Sequence, residues 1–408
     1  MRDRSLRLGA VLLLAVSVFG SGCDQLDGRN RNRQGNRLFR DGLYPDSVGE
    51  YEKALKEVDD PVIHYNAGLA YQKVFKAGMA DKPILLAKAK EEPCALIPSV
   101  KQVEAKQCVK ENDRHYTDCG EKDACTLGYT CEKATFCALD SKTIANAAAD
   151  HMQKWIKVQP ADDDLKKAVK EVQAEIAEQT AKMEKLVAAN ADSKGDKAEI
   201  ASIEDHIKDL EKRVDELHTK DRIRGLMTQM WDDSDQYDKA LAYWDGMLKE
   251  KPNDPGIMGV LAGINLKAGD WRKSIEWYLK VADAATDQSA KVAAYQFIGN
   301  VAWSKLNSKS LSAADSVELA DRGIGALQKA AALQPDSPKP IGLQASIYNF
   351  RALAQGASWS GGLDRASAQD LQHTSRVLME KAKKAAGTAP PPAGGAATNP
   401  NPPVKTGG

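Results

Sequence analysis

Aromatic side chains are scarce in this chain, at 6% of its 408 residues, and β-branched runs are few, which argues against a β-sandwich or barrel and for helices. Neither sign of charge is in excess, with 57 Lys plus Arg against 57 Asp plus Glu. Nothing in that balance calls for a nucleic-acid partner, which needs a basic stripe or patch. No apolar run is long enough to cross a bilayer as a permanent helix: Leu8 to Phe19 supplies about 12 residues where about 20 are needed. Catalytic signatures are missing too, among them Gly-x-Ser-x-Gly, Gly-x-x-x-x-Gly-Lys, His-Glu-x-x-His and a Gly-x-Gly-x-x-Gly after a strand. The six histidines, His64, His115, His151, His206, His218 and His373, are scattered, and each reads as a surface or packing residue. His206 and Asp209 are helix neighbours of a kind common on solvated faces. Asp162, Asp163 and Asp164 stand where a helix begins and where its dipole favours negative charge. The expectation is a protein without catalytic residues, cofactor or metal.

What the chain does have is an internal period. Tyr237, Ala240, Trp244, Met247 and Pro252 fall at intervals of 3, 4, 3 and 5, and Trp271, Ser274, Tyr278 and Val281 repeat the first three intervals 34 residues later. Gly269-Asp270 closes the turn before the second copy. A small residue, a large one four later and an apolar one three further on share one helix face, so each helix can wedge against its neighbours.

This pattern resembles the tetratricopeptide repeat, a helix-turn-helix unit of about 34 residues. The resemblance implies an all-α, right-handed α-solenoid, and further units fit it. Gly35, Ser47, Tyr51 and Ala54 form one, closed by Asp59-Asp60-Pro61. Ala67, Gly68 and Tyr71 open the next. Ile298, Gly299 and Trp303 open another, whose closing helix runs through Ala326 to Ala330 up to Pro335, with about a dozen extra residues in the turn. Ala345 and Tyr348 open the last. Repeats are thus expected over residues 23–80 and 221–386.

Residues 1–22 read as a removable export signal, with Arg2, Arg4 and Arg7 before the apolar run and Gly20-Ser21-Gly22 before Cys23. The small residues ahead of Cys23 resemble the lipobox of bacterial lipoproteins, although Gly20 stands where that family prefers Leu. The resemblance implies lipidation of Cys23 and anchoring to the cell membrane or outer membrane, facing the periplasm. Ordinary signal cleavage beside an incidental cysteine is the alternative.

Between residues 81 and 140 the helical composition breaks. Cys94, Cys108, Cys119, Cys125, Cys131 and Cys137 have 13, 10, 5, 5 and 5 residues between them. An even set in an exported protein points to three disulfides, with a zinc site as the weaker alternative because no Cys-x-x-Cys pair is present. The pairing is open. A helix over 80–92 would carry Pro83 inside it at the loss of a hydrogen bond. Ala148, Met152, Trp155 and Pro160 then resume the repeat spacing, so the cysteine-rich segment reads as an insertion between the helices of one repeat, with residues 141–160 as its closing helix.

Over residues 161–220 the period changes. Leu165, Val169, Val172, Ile176, Met183 and Leu186, and then Ile200, Ile203, Ile207, Leu210, Val214 and Leu217, hold heptad-like spacing on either side of a polar, Gly-containing break. This predicts an elongated antiparallel coiled-coil hairpin, either projecting or packed along the body. Residues 387–408 are rich in Pro, Gly and Ala and cannot bury a core.

In the resembled family the first helix of each unit lines a concave groove for an extended peptide or a partner helix. Carried over position by position, the groove residues are Asn32, Asn36, Phe39, Tyr65, Leu69, Gln296, Asn300, Trp303, Lys339, Ser346 and Asn349. Asn side chains can bridge a peptide backbone through donor and acceptor together. Asn32 and Gln296 stand where the carboxylate-clamping subfamily has Lys. The resemblance implies a membrane-anchored, non-catalytic adaptor in a cell-envelope complex that uses groove and coiled-coil arm to bind protein partners. An adaptor for cell-wall hydrolases, or a ligand-binding or enzymatic module in the cysteine-rich insertion, is the alternative.

Overall fold

The computed structural model describes residues 25–77, 83–89, 93–111, 113–189 and 194–388. The export signal, Cys23 and most of the Pro/Gly-rich tail lie outside the described residues. The chain falls into two compact units, Met1–Ala240 and Leu241–Gly408.

The first unit opens with α1 (25–40), α2 (Tyr44–Glu57) and α3 (Pro61–Val74). Gly42, at φ +78°, turns the chain between α1 and α2. Asp60 caps α3 by accepting from the Val62 amide at 2.7 Å, and Pro61 takes the first helical position, where no donor is lost. The inserted segment follows: β1 (Ile84–Lys88), the single turn α4 (Pro93–Leu96), β2 (Lys101–Lys110), β3 (Asp113–Asp118) and β4 (Thr130–Leu139). They form an antiparallel sheet in the order β1-β4-β2-β3. Pro83 thus precedes a strand and not a helix interior, and the insertion is β, a small exception within a helical chain. Pairing of Ile84 with Leu139 sets the entry and exit of the insertion side by side. That closure lets a sheet be inserted into a helical hairpin without prising it apart.

On leaving β4 the chain enters α5 (Ser141–Lys157), capped by Asp140 through the Thr143 amide at 2.8 Å. α5 packs on α3, completing the interrupted repeat. A Cβ on Gly68 would stand 2.8 Å from Met152 Cγ and 3.4 Å from the Ala148 carbonyl, so the helices close only because residue 68 has none.

The heptad segment is α6 (Asp162–Ala188) and α7 (Lys194–Leu217), 27 and 24 residues long, or about 40 and 36 Å at 1.5 Å per residue. They pack antiparallel, with Glu175 against His206 and Lys182 against Glu199. Val172, Ile203 and Leu210 are buried at 3%, 5% and 5% exposure. Leu165, Val169, Ile176, Met183, Leu186, Ile200, Ile207, Val214 and Leu217 are half-buried, while most side chains between them are exposed. Beyond its root the hairpin is therefore covered mainly by itself. At the root, Asp162 meets Lys220 at 2.7 Å and Arg224 at 3.0 Å, both on α8 (Thr219–Asp233). Burial works against the Asp162 carboxylate, but hydrogen bonds from Lys220 and Arg224 outweigh it and hold the pKa at about 2. α8 also packs on α5.

α9 (Tyr237–Glu250) contains the division between the units. The second unit continues with α10 (Pro255–Lys267), α11 (Trp271–Ala284), α12 (Gln288–Asn307), α13 (Ala313–Leu333), α14 (Pro338–Gln355) and α15 (Trp359–Thr388). From α10 onward each helix packs on the next, the nearest-neighbour order of a solenoid. α9 and α11 start 34 residues apart, at Tyr237 and Trp271, and the small residues Ala240 and Ser274 are fully buried. Gly269 has φ +92°, and Asp270 caps α11 through the Lys273 amide at 3.0 Å. The core joins Trp271 and Ile275 to Ile298, Val301, Leu319, Leu327 and Ile347. The extra residues expected in the turn after Trp303 are instead absorbed as added helix: α12 and α13 are 20 and 21 residues long. Arg351 on α14 donates Nε and Nη2 to the two Asp364 oxygens on α15 at 2.8 and 2.7 Å.

Candidate partner-binding grooves

In the first unit α1 and α3 present neighbouring polar faces. Asn36 Oδ1 accepts from the Tyr51 hydroxyl at 2.7 Å and from Asn66 Nδ2 at 3.1 Å, and Asn66 Nδ2 also donates to Asn32 Oδ1 at 3.0 Å. Burial, against the charge of Arg40, raises the Tyr51 pKa to about 12, so its hydroxyl stays a donor. Asn36, Phe39, Arg40, Tyr51, Asn66 and Leu69 line a groove of about 310 Å³. Of the residues singled out from the sequence, Asn36, Phe39 and Leu69 line it, and Asn32 joins it through Asn66. Tyr65 is turned to Trp155 on α5, with ring centroids 5.0 Å apart. Asn66 joins the groove beside the expected residues; in the register that aligns Gly35 with Gly68, Asn32 corresponds to Tyr65, so the repeat position does not single Asn66 out.

The second unit holds a wider groove of about 600 Å³. Gln296 and Asn300 come from α12, Lys339, Leu343 and Ser346 from α14, and Ser375 and Met379 from α15. Four sequence-predicted residues, Gln296, Asn300, Lys339 and Ser346, are thereby brought together. Trp303 is exposed and Asn349 half-buried, but neither is among the lining residues. Among the described lining residues Lys339 is the one charged side chain. Ser375 donates to the Pro338 carbonyl at 3.1 Å, fastening α15 to the mouth of α14. The α15 residues are not legible in the sequence, because the repeat spacing runs out after Tyr348.

No protein-family model and no curated protein matches the sequence. Among solved structures, the chain is similar to BtubC (BKLC) from P. vanneervenii at 12% identity, over 55% of this chain and 96% of that one, with a TM-score of 0.28. It is similar to yeast Tom70 at 11% identity, over 85% and 76% of the two chains, with a TM-score of 0.15. The TPR domain of P58(IPK) shares 12% identity over 88% and 99%, with a TM-score of 0.16. At these scores the repeat architecture rests on the helix packing and periods of the chain itself.

Six cysteines lie in the inserted segment of the first unit. Cys94 pairs with Cys137, Cys108 with Cys125 and Cys119 with Cys131, with Cα atoms 5.7, 5.7 and 5.8 Å apart. The sulfurs of Cys108, Cys119 and Cys125 lie within 4.8 Å of one another, but disulfide sulfurs are not the thiolates a zinc ion needs.

Proposed function

We propose that the chain is an exported, lipid-anchored scaffold that holds extended segments of protein partners in its helix-lined grooves and takes part in assembling a cell-envelope complex. The observation that carries this reading is the convergence of Gln296, Asn300, Lys339 and Ser346, from two successive helical repeats of the second unit, on one groove of about 600 Å³. Carboxamides and a hydroxyl above Leu343 and Met379 suit a peptide backbone with apolar side chains, since such groups pair with amide donors and acceptors alike. The export signal and Cys23 support the anchored location, and the α6–α7 hairpin offers a second contact region.

The test is a pull-down from detergent-solubilised envelope with wild type and an Asn300→Ala, Ser346→Ala double variant. Neither side chain is buried in the core, so the variant should keep its circular dichroism and melting profile. It should recover at least tenfold less of the specific partner, as expected when about 1.4 kcal/mol of binding is lost. Undiminished recovery by a folded variant would remove the groove from the function.

A further inference from the structure

Two of the scattered histidines meet inside the interrupted repeat. His64 on α3 and His151 on α5 are 87 residues apart in sequence, and their Nδ1 atoms are 2.7 Å apart. Each ring turns its other nitrogen to a carboxylate. His64 Nε2 lies 2.6 Å from Asp59 Oδ1, and His151 Nε2 lies 3.1 Å from Glu52 Oε1 on α2. The Tyr71 hydroxyl donates to the same Glu52 oxygen at 2.7 Å, and its ring stacks on His151. His64 is 4% exposed and Tyr71 1%.

The contacts fix the number of protons. Each carboxylate contact needs an N–H on Nε2, and the contact between the two Nδ1 atoms needs one donor and one acceptor. Two neutral imidazoles have two N–H groups for three contacts and leave one unmade. Two imidazolium rings would point N–H at N–H. One imidazolium and one neutral ring supply the three N–H groups that satisfy every contact. The separation does not suit a metal: two nitrogens bound to one ion at about 2.0–2.1 Å in tetrahedral geometry stand about 3.4 Å apart.

We propose that this side-chain chain binds a single proton between His64 and His151, and that the bound proton fastens α2, α3 and α5 into the closed repeat. The surrounding charges favour one proton and oppose a second. Burial pushes His64 below the ordinary imidazole range; the hydrogen bond to Asp59 opposes that, and the charges of His151 and Lys154 add to it. Burial also works against the Glu52 carboxylate, but hydrogen bonds from His151 and Tyr71 outweigh it and keep Glu52 ionised. On α8, the other helix packed on α5, the buried cations Lys220 and Arg224 are engaged by Asp162.

The sign of the pH dependence follows. Below about pH 6 two unfolded histidines bind two protons and the closed repeat one, so closure weakens as pH falls.

The experiment is nitrogen NMR of the histidine-labelled full chain, with hydrogen exchange of the α5 amides corrected for intrinsic rates. Across about pH 6–8 three protonated nitrogens are expected on the two rings, and below about pH 6 α5 protection should fall by up to tenfold per pH unit. In a His151→Gln variant that acid dependence should flatten. Two neutral rings in the wild type, or an acid dependence that persists unchanged in His151→Gln, would overturn the proposal. Because the NMR count is made on the wild type, it decides even if the variant fails to fold.

Discussion

Gly299 and Gly325 sit in adjacent helices of the second unit and meet different surroundings. A Cβ at residue 299 would lie 2.6, 2.8 and 2.9 Å from three Leu327 side-chain carbons, and Leu327 is fully buried, so it has nowhere to move. At residue 325 a Cβ meets nothing within 4 Å. Gly299→Ala should therefore destabilise the unit by about 1–3 kcal/mol through overpacking, while Gly325→Ala should stabilise it by about 0.5–1 kcal/mol by lowering the chain entropy of the unfolded state. Urea denaturation of the two variants checks both signs, and equal effects would mean that the α12–α13 approach is looser than the geometry shows. Groove polarity is decided at the same scale. Asn36 spends its acceptor on Tyr51 and Asn66, whereas Asn300 stands exposed at the wider groove, which makes it the better single position for partner contacts.

Among the elements, the α6–α7 hairpin depends least on its surroundings. An ordinary repeat helix here has 14 residues, as in α2, α3 and α11, and neighbouring repeats cover a face of that length. Helices of 27 and 24 residues outrun such cover, and their apolar seam closes on itself. Replacing Ile203 or Leu210, both buried, by Ala should cost about 2–5 kcal/mol each, and half-buried Ile207 less. The loss should appear as an early, separate transition in thermal circular dichroism, with the repeats melting later, because solenoid units depend on their nearest neighbours. A single transition shifted as a whole would mean that the hairpin belongs to the repeat core. The inserted sheet is the opposite kind of element, too small to hold a large core of its own. Its three disulfides close loops of 43, 17 and 12 residues, each contributing about 2–4 kcal/mol.

For the molecule as a whole, the odd cysteine count bears on the proposed lipid anchor. Six cysteines are consumed in pairs, which leaves Cys23 as the seventh. Wild type grown with labelled fatty acid should incorporate it and Cys23→Ser should not; an unlabelled wild type would show that Cys23 is no anchor. The sequence alone determined the helical repeats, their period, the small residues at close approaches and the heptad hairpin. These are local periodicities of 3.6, 7 and 34 residues, and each is written in consecutive stretches of chain. Tertiary structure alone decided how the cysteines pair, that the insertion is a sheet closed by Ile84 and Leu139, and that α12 and α13 lengthen where a long turn was expected. It also decided that His64 and His151, 87 residues apart, face one another. Such contacts join residues with no common period, and their partners become visible only when packing brings distant helices together.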